Sequence, residues 1–371
     1  MNTSLYPLRF REILRDYSFG DRWIVDAYEK DGLPSDHRVA ETWEVCDRPD
    51  GESSQVLNGP LTGETLHTLV SAYGPALLGR DVVARCGTRF PLLIKFLDAS
   101  NVLGEQAHHS DALAADRGLE DPGKTEAWYM LKVREGATVH VGNRPGVTRE
   151  QVEAAILDGT IKDLMRVYEV APGDAFLLYA GTMHYASGGV LFYEIMQNSD
   201  VYIGLHPPDL GLAPEERVTR ARDALVGVHL ETDFDAQTVP VSLPAGVNTR
   251  TFILACRYFA LERYDLLAPT MIACDGRRFH VLSQIEGVTT IVHGEHRELL
   301  RPGQSILLPA DLGLVTLVPS QPSAILKAYV PDLREDILAP LRQSGVSDAG
   351  IVRLGGWTAL NDLAPLVEGL S

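Results

Sequence analysis

The sequence predicts a mainly β protein built as two jelly-roll barrels in tandem, with a few inserted and covering helices. Short runs rich in β-branched and aromatic residues recur at 89–96, 137–141, 175–179 and 190–196, too short for helices and of strand length. Turn residues such as Pro172-Gly173-Asp174 and Gly188-Gly189 separate them, which suits antiparallel strands joined by tight turns rather than a parallel sheet. The turn and apolar run at 172–179 returns at 302–309, again opening with Pro-Gly, so a barrel is expected twice.

Taken in chain order, the first 17 residues mix Arg9, Arg11, Glu12, Arg15 and Asp16 with single apolar residues and offer no signal-peptide run. Nothing later approaches the ~20 apolar residues of a membrane span. The spacing predicts a helix over 148–157, where Thr148 and Gln151 form a capping box and Val152, Ala155 and Ile156 share a face. A second helix, over 214–226, starts with Pro214, Glu215 and Glu216, a favourable first turn. The Pro- and Gly-bearing stretch 237–248 divides an N-terminal catalytic unit, 1–240, from a C-terminal barrel, 241–371. Twelve residues after the first Pro-Gly stands His184, but twelve after the second stands Leu314, so the second barrel is expected to hold no metal. The tail, 331–371, reads as one helix plus a short strand-like segment.

A chain of 371 residues exceeds the ~250–300 at which single cores stop growing. Its 33 Lys+Arg against 50 Asp+Glu leave a net charge of −17, which argues against a nucleic-acid partner. Cys46, Cys86, Cys256 and Cys274 show no CxxC pairing and read as free thiols of a cytoplasmic protein that engages no membrane.

The chemistry concentrates at Gln106, His108, Glu126 and His184. Residues 106 and 108 alternate on a strand and share a face, while His109 points the other way. Two imidazoles, a carboxylate and an amide oxygen suit a borderline divalent ion, Zn²⁺ first and Mn²⁺, Co²⁺ or Fe²⁺ next, with a position open to substrate. The other eight histidines, His280 among them, read as surface or satisfied core residues.

Six blocks occur in order: Glu41-Thr42-Trp43-Glu44-Val45; the 90–99 stretch containing Lys95; Gln106-Ala107-His108; Gly123-Lys124-Thr125-Glu126-Ala127-Trp128-Tyr129; Gly181-Thr182-Met183-His184; and Glu194-Ile195-Met196-Gln197-Asn198-Ser199-Asp200. Together they resemble the type I phosphomannose isomerases, in particular the short bacterial form, over about residues 5–210, and the Cys256-Arg257-Tyr258-Phe259 region resembles the start of that family's C-terminal barrel. The resemblance implies a cupin-type double jelly roll, one zinc ion per chain and interconversion of mannose 6-phosphate and fructose 6-phosphate. By position, Gln106, His108, Glu126 and His184 resemble the metal ligands, and Glu41, Lys95, Lys124, Glu194 and Asp200 match residues in or beside the active site. Moving a proton between C1 and C2 through an enediol needs a base and positive charge near the developing oxyanion. Glu194 is the first choice for the acid/base and Lys124 for polarising an oxygen. His109 is a competing base and a substrate-binding candidate with Glu41, Lys95 and Asp200.

The chain also departs from the family pattern. Where the family has two arginines after Ser-Asp, this sequence has Gly204 and Leu210; where it has a Ser before the first ligand, it has Gly104, followed by Glu105. Phosphate recognition favours arginine forks and hydroxyls, so these changes bear on the phosphate more than on the metal, unless Arg217, Arg220 or Arg222 takes over. Three readings follow. The first is a phosphomannose isomerase with rearranged phosphate contacts. The second is an isomerase or epimerase of the same fold acting on an unphosphorylated or other sugar. The third is a non-catalytic, zinc-bearing sugar-binding cupin.

Overall fold

The computed structural model describes residues 4–28, 30, 37–207 and 211–368. Four sheets, all antiparallel in their pairings, account for the strands. A six-stranded sheet runs in the order Ile13–Arg15, Glu41–Val45, Leu92–Ala99, Val190–Gln197, Glu126–Val133, Ala175–Leu178. It faces a five-stranded sheet ordered Ile203–Gly204, Leu103–Ala107, His184–Ala186, Thr138–Asn143, Met165–Glu169. The second pair is a seven-stranded sheet, which includes Asn248–Ala255, Ala260–Leu266, His280–Glu286 and Ser323–Tyr329, and a four-stranded sheet that includes Thr270–Cys274 and Gly313–Pro319. One crossing ties the chain's beginning to its far half: Leu8–Arg9 pairs with Ser305–Leu308 at the edge of the seven-stranded sheet.

The six-stranded sheet explains why its sequences read as nearly continuous apolar runs. Both Leu92–Ala99 and Val190–Gln197 are buried at every position, because both faces of the sheet are covered. On one face Leu97, Trp128, Phe176 and Phe192 pack with Val139 and Val141 of the five-stranded sheet, inside the first barrel. On the other face Ile94, Phe96, Tyr129, Tyr193 and Ile195 pack with Val281, Leu326 and Ala328 of the seven-stranded sheet. The alternation of period two thus survives as two apolar sets, one for each barrel.

The expected helices form at Arg149–Asp158 and Pro214–Val226, and the first carries the Thr148–Gln151 capping box. Helices at Leu66–Tyr73, Pro75–Leu78, Arg80–Cys86 and Asp111–Asp116 were not anticipated; they are short, and glycines at 74, 79 and 87 end the first three. The tail also differs from expectation. It is a series of short helical pieces, Leu333–Leu338, Ala339–Gln343, Asp348–Val352 and Ala364–Glu368, and its only extended pairing among the described residues is the single bridge from Trp357 to Asp235. Gly345 and Gly356, at φ of 79° and 74°, interrupt the helical run where a residue with a Cβ would be strained.

Phe279 is fully buried, and its ring lies 4.8 Å from that of Phe90, within the core shared by the two barrels. Phe279→Ala should lower stability by about 3–5 kcal/mol, measured from the urea midpoint and slope. A loss under about 1 kcal/mol would show that this contact does not couple the sheets.

Candidate metal and catalytic site

Strand register sets the site's first row. Trp43 lies opposite Lys95, Lys95 opposite Glu194, and Glu194 opposite Trp128, across four adjacent strands. Residues paired in this way project to the same face, here the interior face that also carries Leu97 and Phe192. Glu126, two residues before Trp128, joins them. From the facing sheet comes a second row, Gly204 opposite Gln106 and Gln106 opposite His184, with His108 just past the end of Leu103–Ala107.

His108, Glu126 and His184 converge, with ligand atoms all within 4.8 Å of one another. Each imidazole Nε2 lies 3.3 Å from one oxygen of the Glu126 carboxylate. Each Nδ1 lies 2.9 Å from a backbone carbonyl, Val201 for His108 and Thr182 for His184. A carbonyl only accepts, so Nδ1 carries the proton and donates, and each Nε2 presents a lone pair towards the carboxylate. Both Nε2 atoms and both Glu126 oxygens are buried without an aligned hydrogen bond. Orphaned donor atoms of this kind, two imidazole nitrogens and a carboxylate, fit a divalent ion. Burial pushes His108 down to about 3, with Lys124 adding to the effect, and pushes His184 down as well, so both rings are neutral at pH 7. For Glu126 burial acts upward, but the opposing charges, led by Lys124, hold the acid well below its usual range. Every group is therefore in the protonation state that a metal ligand requires.

Beside this trio opens a cavity of about 410 Å³. Gln106, Lys124, Glu41, Lys95, Glu194 and Asp200 all line it. Lys124 Nζ reaches Glu126 Oε2 at 3.1 Å and so joins the cavity wall to the buried trio. Lys95 Nζ sits between Glu41 at 3.2 Å and Glu194 at 3.1 Å. Burial alone would discharge this amine, but the two carboxylates more than offset it and raise its pKa. Trp128 Nε1 donates to Glu194 Oε1 at 3.0 Å, whereas Oε2 faces Lys95 without an aligned hydrogen bond. Burial raises the Glu194 pKa despite the opposing pull of Lys95.

Other expected residues lie apart. His109 is buried but borders a neighbouring groove, which shares Asp200 and Tyr202 with the main cavity. Gly204 borders a third groove together with His206, Tyr202 and Arg220; a Cβ on it would come within 2.5 Å of the His206 ring. Leu210 lies outside the described residues. Arg222 pairs with Glu153 at 2.9 Å, and none of Arg217, Arg220 and Arg222 is on the main cavity wall. The sequence reading missed Trp128 as the partner of Glu194. It also missed Trp43, whose Nε1 donates to Glu41 at 2.6 Å, and the cavity-lining Tyr17, Phe19 and Tyr202. The spacing of Glu126 and Trp128 was a usable signal, since i and i+2 share a strand face.

A family model described as the mannose-6-phosphate isomerase cupin domain matches residues 248–321. The mannose-6-phosphate isomerase ManA of Bacillus subtilis is 29% identical over 318 residues, 83% of this chain and 94% of that protein. The "Probable mannose-6-phosphate isomerase GmuF" of the same organism is 31% identical over 317 residues, 84% of this chain and 96% of its own length. In structure, the mannose 6-phosphate isomerase crystal structure from Bacillus subtilis superposes with a TM-score of 0.73 at 23% identity, covering 87% of this chain and 99% of that one. At that identity the superposition establishes the fold, a double-barrel arrangement of the cupin type.

Replacing His184 by alanine removes one of two imidazoles from a trio with no spare nitrogen. His184→Ala should cut divalent-metal content at least tenfold, measured by elemental analysis of dialysed protein. Full stoichiometry in the variant would take His184 out of the ligand set.

Proposed function

The chain belongs to the mannose-6-phosphate isomerase family, and on that premise we propose that it is a metal-dependent aldose–ketose isomerase interconverting mannose 6-phosphate and fructose 6-phosphate. The observation that carries this reading is the buried His108, Glu126 and His184 trio beside a cavity whose wall supplies the carboxylate of Glu194 and the ammonium groups of Lys95 and Lys124. Gln106, His108, Glu126 and His184 would hold one divalent ion, zinc by its donor set, which when bound supplies a Lewis acid for the sugar oxygens. Residues 1–240 would form the catalytic unit and 241–371 a barrel without metal. Four free cysteines fit a reducing, cytoplasmic setting, and among the described residues no helix is long and apolar enough to cross a membrane.

Isomerisation takes a proton from one carbon, C1 or C2, and returns it to the other through an enediol. Glu194 is the acid/base. Trp128 fixes one of its oxygens, the other keeps a lone pair for the carbon-bound proton, and the raised pKa makes the carboxylate a better proton acceptor at neutral pH. Lys124 places an ammonium where negative charge develops on a sugar oxygen. Glu41, Lys95 and Asp200 would bind sugar hydroxyls, and His109 would act from the adjoining groove.

A specific observation favours the second reading, an unphosphorylated sugar. The main cavity wall carries Glu41, Glu194 and Asp200 and no arginine, and both of its lysines already contact carboxylates. Gly104 faces open space where a Cβ would meet nothing within 4 Å. Under the first reading the phosphate would lie in the adjoining groove near Arg220 and His206.

The two readings separate on a substrate panel with the metal-loaded protein. Conversion of fructose 6-phosphate with no turnover of free mannose, lyxose or fructose supports the first, and the reverse supports the second. No turnover of any sugar at full metal content would leave a sugar-binding protein. In either enzymatic case Glu194→Gln should lower kcat at least a hundredfold with metal content unchanged; an unchanged kcat removes Glu194 from the mechanism. Activity requires Glu194 ionised and its pKa is raised, so the rate should fall with acidification already above the ordinary carboxylate range of about 4.3. An acid limb at or below that range would contradict the assignment.

A further inference from the structure

Two exposed aromatic rings border the main cavity, Tyr17 at 45% and Tyr202 at 54% exposure. Tyr17 leans on Phe19, with ring centroids 5.5 Å apart, and of the three recesses around the site it borders only the main one. Tyr202 is placed differently. It is the one residue shared by the main cavity, the groove of His109 and the groove that contains Gly204 and Arg220, so its side chain stands where the three meet. The backbone beneath it is tied to the metal trio. The peptide unit that joins Val201 to Tyr202 carries the carbonyl which accepts from His108 Nδ1 at 2.9 Å, and just beyond, Ile203 lies opposite Ala107 and Gly204 opposite Gln106. On the preceding side the Asp200 amide donates to Asp121 at 2.9 Å, and Ser199 Oγ donates to the Pro122 carbonyl at 2.8 Å. The ring is thus carried by the same segment that orients a ligand imidazole.

Gly204 completes the setting. A Cβ there would lie 2.5 Å from the His206 ring and 3.1 Å from Tyr202 Cε1, so both rings pack over the glycine and a side chain at 204 would have to displace the His206 ring. A sugar presents hydroxyls at its edge and C–H bonds on its faces, and a site for it pairs a few placed polar groups with an apolar surface. Glu41, Lys95, Lys124, Glu194 and Asp200 are the polar groups of the main cavity. An exposed tyrosine ring is the matching surface, and it loses little conformational entropy because it has only two side-chain torsions. We propose that Tyr202 is the specificity-determining residue of this site. Its ring carries the C–H face of the sugar end remote from C1 and C2 and narrows the way from the metal trio to Arg220, which weights the site towards a free sugar over its phosphate ester. This assignment rests on the isomerase reading. A free sugar without the ring loses its apolar contact outright, whereas an ester loses the same contact but gains a wider path to Arg220 and His206.

The test is saturation-transfer NMR titration of the metal-loaded full chain with fructose and with fructose 6-phosphate, alongside turnover of both, in the wild type, Tyr202→Ala and Tyr202→Phe. The side chain is more than half exposed, so neither substitution opens a hole in the core. Tyr202→Ala should weaken fructose at least tenfold and fructose 6-phosphate less than threefold, with metal content unchanged. Tyr202→Phe keeps the ring and should keep both affinities within twofold of the wild type. The assignment falls if Tyr202→Ala leaves the ratio of the two affinities within threefold of the wild-type ratio, or if Tyr202→Phe loses as much as Tyr202→Ala. Turnover with an unshifted ratio would sink this assignment and leave the isomerase reading standing. A shifted ratio without turnover of either sugar by the wild type would remove the isomerase reading and leave Tyr202 as the selecting residue of a sugar-binding site. A wild type that binds neither sugar overturns both.

Discussion

Burying the Glu126 carboxylate is the constraint around which the first barrel is arranged, because an ionised carboxylate taken out of water loses hydration worth several kcal/mol unless charge and hydrogen bonds replace it. The chain supplies Lys124 at 3.1 Å and an imidazole at 3.3 Å from each oxygen. Those imidazoles are neutral and tied at Nδ1 to backbone carbonyls, so they aim lone pairs, not protons, at the acid. Lone pairs do not satisfy a carboxylate. Lys124 meets the charge from one side, and a cation among the three would meet both lone pairs and the carboxylate, which ties metal affinity to the internal consistency of the barrel.

Glu194 obeys a similar constraint with a different outcome. It is equally buried, yet its pKa rises where that of Glu126 falls. The difference lies in the neighbours. Lys95 divides its charge between Glu194 and Glu41, and Glu126 itself repels Glu194, so the stabilising charge left to Glu194 is smaller. Two carboxylates two strand positions apart in register are thereby driven in opposite directions. The rigidity this needs comes from the sheet. Leu92–Ala99 and Val190–Gln197 are clamped on both faces, so a side chain in the row cannot drift without disturbing two cores.

Much of this was legible in the sequence, and the boundary has a physical cause. Strands showed themselves through β-branched and aromatic runs between turn residues, and the capped helix at Arg149–Asp158 through Thr148 and Gln151. The set Gln106, His108, Glu126 and His184 was read from residue types and strengthened by the resemblance, since spacing alone links only residues on one strand. What connects Glu126 to His184 is sheet pairing between distant segments, which no local pattern encodes. The short helices at Leu66–Tyr73 and Arg80–Cys86 escaped because each is amphipathic for only two turns. Reading the second barrel as merely structural rested on Leu314 replacing a ligand histidine. That substitution says nothing about Glu262 and Lys327, which lie opposite one another elsewhere in the same barrel.

The charge of the cavity wall beside the metal trio orders the possible chemistry. The wall beside the metal trio carries three carboxylates against two lysines that are already engaged. A phosphate ester entering that cavity would meet these carboxylates before it reached His108, Glu126 and His184. Arg220, beside Gly204 in the groove next to the first cavity, pairs with Glu216 at 3.5 Å. A phosphorylated substrate in the first barrel must therefore direct its phosphate away from Glu194 and towards that groove, while a neutral sugar needs no such reach. The polarity of the wall, more than the identity of the metal ligands, is what divides the two substrate classes.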